Sequence, residues 1–171
     1  MGSTRRSFLA AGAAVAAAGC GARRGPWRSL SDGEAKTLDA LCDQLIPAGE
    51  FPGAHASGVM VYIDRQLAKA YRRHVEAYRA GLAKTDEISR SKYNKAFTDL
   101  TVDQRFEICK ALEAEQRPFF DLVLAHTMQG FYGNPRHGGN REYASWRMLG
   151  VTPTQVRGRN LYELRTPREA T

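Results

Sequence analysis

The chain has no apolar run of about 18 residues, the least that a helix needs to cross a bilayer. Only three cysteines occur, Cys20, Cys42 and Cys109, and none forms a Cys-x-x-Cys or Cys-x-x-Cys-His motif. Zinc-knuckle and c-type haem readings therefore have no support. The four histidines, His55, His74, His126 and His137, make no His-x-x-x-His pair and no His-Glu-x-x-His. Metalloprotease chemistry loses its ligand set with them. Gly-x-Gly-x-x-Gly and the phosphate-cradling Gly-x-x-x-x-Gly-Lys-Ser/Thr are both missing. Ser57 sits in Ala-Ser-Gly, outside the nucleophile-elbow pattern. No stretch alternates like a strand, and no internal repeat or nucleic-acid motif is present. The expectation is a chain with no catalytic, cofactor-binding or metal residues of its own.

What is present suits one soluble domain. The 171 residues are enough for a single core, and 43% hydrophobic with 25% charged residues is ordinary globular composition. The first residues differ in character. Thr4-Arg5-Arg6-Ser7-Phe8-Leu9 leads into an Ala/Gly-rich, weakly hydrophobic run from Phe8 to Gly19. That is the layout of a targeting segment. The adjacent Arg5 and Arg6, followed by Phe8 and Leu9, make it a twin-arginine export signal. Arg23 and Arg24 after the run disfavour the general secretory route. Removing residues 1–19 takes away two arginines and no acids, so the net charge falls from +7 to 7 − 2 = +5. A charge of that size suits an acidic protein surface or anionic lipid headgroups. Ala17-Ala18-Gly19-Cys20 resembles a lipobox that would lipidate Cys20; plain cleavage nearby, after Ala16-Ala17-Ala18, is the alternative. Cys42 and Cys109 lie in apolar helical patterns, as two buried thiols or, in an oxidising compartment, a disulfide.

The hydrophobic periodicity predicts an all-α fold: a single compact domain of about five helices over residues 30–150. A signal segment (1–22) and a linker (23–29) precede it, and an extended tail (151–171) follows. Ser31-Asp32-Gly33-Glu34 is a capping box opening a helix that Pro47 stops. The spacing of Ile63, Leu67, Tyr71, Val75, Tyr78 and Leu82 predicts one helix over 59–82, with Arg65, Lys69, Arg72, Arg73 and Arg79 on its solvated face. Residues 84–94 read as a polar connection. Thr101-Val102-Asp103-Gln104 is a second capping box, opening a helix that carries Phe106, Cys109 and Leu112. Residues 119–128, apolar almost all round, predict a central buried helix that ends at Gly130, with His126 as a satisfied core histidine. Residues 130–140 read as a tight glycine-rich loop, followed by Tyr143 and Trp146 on a short helix.

That loop, Gly130-Phe131-Tyr132-Gly133-Asn134-Pro135-Arg136-His137-Gly138-Gly139-Asn140, with Trp146 and Gly150, resembles the signature of gluconate 2-dehydrogenase subunit 3. Leu45-Ile46-Pro47, Gly58-Val59 and Tyr62-Ile63-Asp64 resemble the N-terminal pattern of the same family. His137 stands where the family commonly has Tyr. The resemblance implies the small subunit of a periplasmic dehydrogenase complex associated with the inner membrane. In such a complex a glucose-methanol-choline-type flavoprotein holds FAD and oxidises gluconate, glucose or a similar polyol. Electrons then pass to a multihaem cytochrome c subunit, which holds haem c. The small subunit carries no cofactor and supports maturation and export of the flavoprotein through the twin-arginine translocase. On this reading Phe131, Tyr132, Asn134, Pro135, His137, Gly138, Gly139, Asn140, Tyr143 and Trp146 form the partner interface, rich in the aromatic residues that dominate interface energy. A free-standing periplasmic lipoprotein or binding module is the alternative.

Overall fold

The computed structural model describes residues 26–151. Arg5, Arg6, Phe8, Leu9 and Cys20, and the tail beyond Val151, lie outside the described residues. Six α-helices and no strand occur among the described residues: α1 (Asp32–Leu45), α2 (Val59–Leu67), α3 (Val75–Tyr93), α4 (Val102–Glu115), α5 (Arg117–Tyr132) and α6 (Ala144–Met148). The expected all-α class holds, with one more helix than expected.

Local chemistry explains the starts of α1 and α4. At α1 the Ser31 hydroxyl accepts from the Glu34 N–H at 3.3 Å, and the Glu34 carboxylate accepts from the Ser31 N–H at 2.7 Å. At α4, Thr101 and Gln104 make the same reciprocal pair at 3.3 and 3.1 Å. Each box satisfies two helix-end donors, and its cap stabilises the helix by about 1 kcal/mol. From α1, Ala35, Leu38, Leu41 and Cys42 enter the core. From α4 the inward residues are Ile108, Cys109 and Leu112. Phe106 is instead 53% exposed, under the Lys110 ammonium at 5.1 Å. Cys42 and Cys109 are free, buried thiols, not a disulfide. Burial pushes the Cys42 thiol up to about 12, although a hydrogen bond from the Thr127 hydroxyl opposes the shift.

The helix expected over 59–82 is two helices. α2 stops at Leu67, a 3₁₀ turn covers Arg72–His74, and α3 begins at Val75. No glycine or proline marks this break. Tertiary contact drives it: the Tyr71 ring lies flat on His126 at 3.9 Å, and its hydroxyl donates to Gln129. Both partners belong to α5. Tyr78, from the next helix, reaches His126 Nδ1 with its hydroxyl at 2.9 Å. The turn lets Tyr71 and Tyr78 converge on one buried imidazole.

Residues 84–93, expected as a polar connection, continue α3. Its inward positions there are Thr85 and Ser89, so the apolar stripe vanishes while the helix persists. Both are satisfied: Thr85 donates to the Gly81 carbonyl at 2.8 Å and Ser89 to that of Lys95 at 2.7 Å. Helix α5 packs against α1, α2, α3, α4 and α6, which makes it the central helix. It is not buried all round: Asp121, Ala125, Met128 and Gln129 face solvent. Nor does Gly130 end it, since the helix runs on to Tyr132.

The buried His126 imidazole shares a hydrogen bond with the Tyr78 hydroxyl, the donor being set by the imidazole tautomer. Burial, reinforced by the neighbouring His74, pushes its pKa from the usual 6.5 down to about 4. The unfolded chain therefore binds this proton more readily than the folded one. Stability is full above pH 6.5 and is lost as pH falls toward 4. The expected loss is about 3 kcal/mol beyond that of His126→Gln, which keeps a hydrogen-bonding group for Tyr78 but does not titrate. Urea midpoints of the two proteins across this range check it; parallel pH profiles contradict it.

The linker is partly built into the fold. Asp64 on α2 is buried, and its carboxylate accepts from the N–H groups of Arg28 at 2.8 Å, Ser29 at 2.8 Å and Leu30 at 3.3 Å. Three donors on one carboxylate pin the segment at Arg28, where the sequence reading placed a free linker up to residue 29.

Candidate functional site

The glycine-rich loop begins where α5 ends and is tied down at every stage. Asn134 accepts from the Arg136 N–H at 3.1 Å, which caps a 3₁₀ turn over Pro135–His137. Gly139 then passes directly over the last turn of α5. A Cβ there would overlap the Gly130 carbonyl oxygen, so the crossing requires glycine at 139, while at Gly130 a Cβ would press on the Tyr62 ring of α2. Asn140 follows in the left-handed region at φ 46° and is fully buried. Its amide donates to the Gly133 carbonyl at 2.9 Å and accepts from the Ser145 N–H at 3.0 Å. One side chain thereby closes the loop and starts α6. The Trp146 indole donates to the Tyr132 carbonyl at 2.9 Å, tying α6 back to α5.

Glu142 and Tyr143 also have positive φ, 54° and 58°. Each such residue costs on the order of 1 kcal/mol and persists only where its surroundings enforce it. Here the Arg141 N–H donates to the Ser57 carbonyl at 3.1 Å, locking the strained turn onto the loop between α1 and α2.

The two loops enclose a groove of about 560 Å³. Phe51, Pro52, Ala56 and Ala144 supply apolar wall, and Arg141, Glu142 and Arg147 supply charge. An apolar floor with a few placed polar groups is what a partner's anchoring side chain requires. Leu149 and Val151, both large and exposed, continue the chain from α6.

The sequence-derived interface residues divide in two. Phe131, Gly139 and Asn140 are buried and build the loop rather than face outward. Phe131 is 1% exposed, with its ring edge-on to Tyr132 at 4.9 Å between centroids. His137 is exposed, while Tyr132, Asn134, Pro135, Gly138, Tyr143 and Trp146 are half-buried. None of the ten lines the large groove, whose walls come from Phe51, Pro52 and Ala56 on one side and Arg141, Glu142, Ala144 and Arg147 on the other. The available signals were faint: one aromatic in a proline- and glycine-rich loop, and alternating charges after Asn140. No group of three metal-ligating side chains occurs among the described residues.

No curated protein and no solved structure matches the chain significantly. The family model for gluconate 2-dehydrogenase subunit 3 matches residues 32–153. Those residues run from the first residue of α1 past the end of α6, and include the closing loop and both groove walls. The chain therefore belongs to the gluconate 2-dehydrogenase subunit 3 family.

Proposed function

We propose that this chain is a non-catalytic small subunit of an FAD-dependent gluconate, glucose or polyol dehydrogenase. It binds the glucose-methanol-choline-type flavoprotein, supports its maturation and carries it through the twin-arginine route. FAD belongs to that partner, and haem c to a cytochrome subunit of the same periplasmic, membrane-associated complex. The family supports membership of a dehydrogenase assembly. The observation that carries the docking reading is the groove between Phe51–Ala56 and Arg141–Arg147, with strained Glu142 in its wall. A backbone held in costly conformations before the partner arrives is preorganised, so less ordering is lost on binding.

The test is co-purification with the tagged flavoprotein subunit. Phe51 and Arg147 are exposed, so Phe51→Asp with Arg147→Glu leaves the fold intact, as circular dichroism would show. A buried aromatic anchor and a charge in one interface contribute enough that affinity falls at least about tenfold. Unchanged affinity in the double variant removes the groove from the interface. No complex with the wild-type chain overturns the subunit reading itself.

A further inference from the structure

A second groove lies on the other side of the glycine-rich loop. It is small, about 130 Å³, and lined by Arg28, Arg65, Gln66, Lys69, Arg136 and His137. Four cations converge on it from three stretches of chain: Arg28 of the pinned N-terminal segment, Arg65 of α2 with Lys69 just past its end, and Arg136 of the Pro135–His137 turn. None of the four has a carboxylate partner among the described residues, whereas the cations of α3, α4 and α5 that form ion pairs do so with their own or neighbouring helices. The acid adjacent to Arg65, Asp64, turns both oxygens to backbone N–H groups and accepts from no guanidinium. The arrangement is built rather than accidental. Arg28 is placed by its own N–H on Asp64, and Arg65 lies across Gly138, where a Cβ would come within 2.7 Å of its Nη1. At φ 107°, Gly138 holds a backbone that other residues avoid.

We propose that this groove binds the phosphate of an anionic phospholipid headgroup. Its volume suits a single anionic group, and planar guanidinium forks match phosphate oxygens. The choice of a membrane rests on the export-signal reading and on chain length. Gly19, the end of the weakly apolar run, is 28 − 19 = 9 residues before Arg28. Nine residues reach at most about 30 Å. Because Asp64 pins Arg28 to α2, contact of residues 8–19 with a bilayer during export, before the signal segment is removed, holds the groove within that distance of the headgroups. A single weak apolar anchor gives only marginal binding, and a basic patch supplies the second contribution. Each basic residue near an anionic surface raises partitioning about fivefold.

The experiment is co-sedimentation of the full chain with vesicles of phosphatidylcholine alone, or with phosphatidylglycerol admixed. The comparison is with Arg65→Glu/Lys69→Glu/Arg136→Glu and with the same three positions changed to Gln. All three side chains are exposed, so both variants should keep the wild-type thermal midpoint. The expected result is binding to the anionic vesicles that falls at least about tenfold in both variants. Binding to phosphatidylcholine alone, carried by the N-terminal segment, should be the same in all three proteins. Equal binding of wild type and variants to anionic vesicles overturns the proposal. So does groove-dependent binding of inorganic phosphate that phosphatidylglycerol vesicles fail to displace, which marks a free-phosphate site. So, too, does a variant that keeps its vesicle binding but loses the flavoprotein, since the groove then belongs to an acidic protein surface. Wild-type co-purification with the flavoprotein is scored separately, so a failed subunit reading and a failed lipid site are told apart.

Discussion

Changing Arg5 and Arg6 together to lysine leaves the flavoprotein subunit in the cytoplasm. The substitution keeps both positive charges, so simple attraction to acidic surfaces is preserved. What it removes is the planar, five-donor fork of guanidinium, which a point-charge ammonium cannot reproduce at a bidentate site. On the proposed reading of this segment as a twin-arginine export signal, recognition depends on that pair. If the small subunit carries its partner out, one change on this chain redirects two proteins. Fractionation of cells expressing both subunits gives the readout, with FAD-loaded enzyme activity assayed in each compartment. The periplasmic share of the flavoprotein is expected to fall more than tenfold while cytoplasmic FAD-loaded protein accumulates. A flavoprotein that reaches the periplasm equally well beside the lysine variant overturns shared export, whatever the small subunit does there.

The largest expected effect on stability is that of Asn140→Ala. The side chain is fully buried and holds both ends of the loop, through the Gly133 carbonyl and the Ser145 N–H. Truncation leaves the buried Ser145 N–H without its partner, at roughly 1–3 kcal/mol, and the half-buried Gly133 carbonyl without its own, at about 1 kcal/mol. Alanine must also adopt the left-handed backbone at φ 46°, which costs about 1 kcal/mol more. The sum is about 4 kcal/mol, a large part of the stability of any domain this size. In a thermal melt it corresponds to a fall of roughly 15 °C. Asn140→Gly separates the contributions, since glycine loses the hydrogen bonds but not the backbone preference. It should be about 1 kcal/mol less damaging than alanine. A loss below about 1 kcal/mol for alanine means that the loop is held by the Gly130–Gly139 crossing and Trp146 alone. Flavoprotein binding should weaken in the alanine variant even below its melting temperature, because the Arg141–Arg147 wall of the groove hangs from this residue.

The expectations that held rest on chemistry confined to a few adjacent residues. Ser31 with Glu34 and Thr101 with Gln104 are complete capping devices within four positions, so α1 and α4 start where their sequence says. Pro47 and the apolar residues of α5 are equally local signals. The errors share one cause. Tyr71 has good helical spacing with Leu67 and Val75, yet the chain turns there because His126, 55 positions later, offers a better surface for its ring. Thr85 and Ser89 look solvated, but each bonds a carbonyl and faces inward. Phe131 looked like an interface aromatic and is core.

The candidate site divides along the same line. Glycine, asparagine and proline between Gly130 and Asn140 announce a tightly turned loop, because few other residues tolerate such backbones. The family, too, is legible there. Which side chains face outward is not, since that depends on contacts between segments far apart in the chain. Phe51 meets Arg141 in one groove, and Arg28 meets Arg136 in another, across 90 and 108 positions respectively. By itself the sequence determined an all-helical domain, its capped starts and its glycine-rich closing loop, since local backbone energies decide these. Only the tertiary structure decided where α2 breaks, that Asn140 holds the loop together, and which charges converge without partners, because burial and pairing are properties of surfaces that exist only once the helices pack.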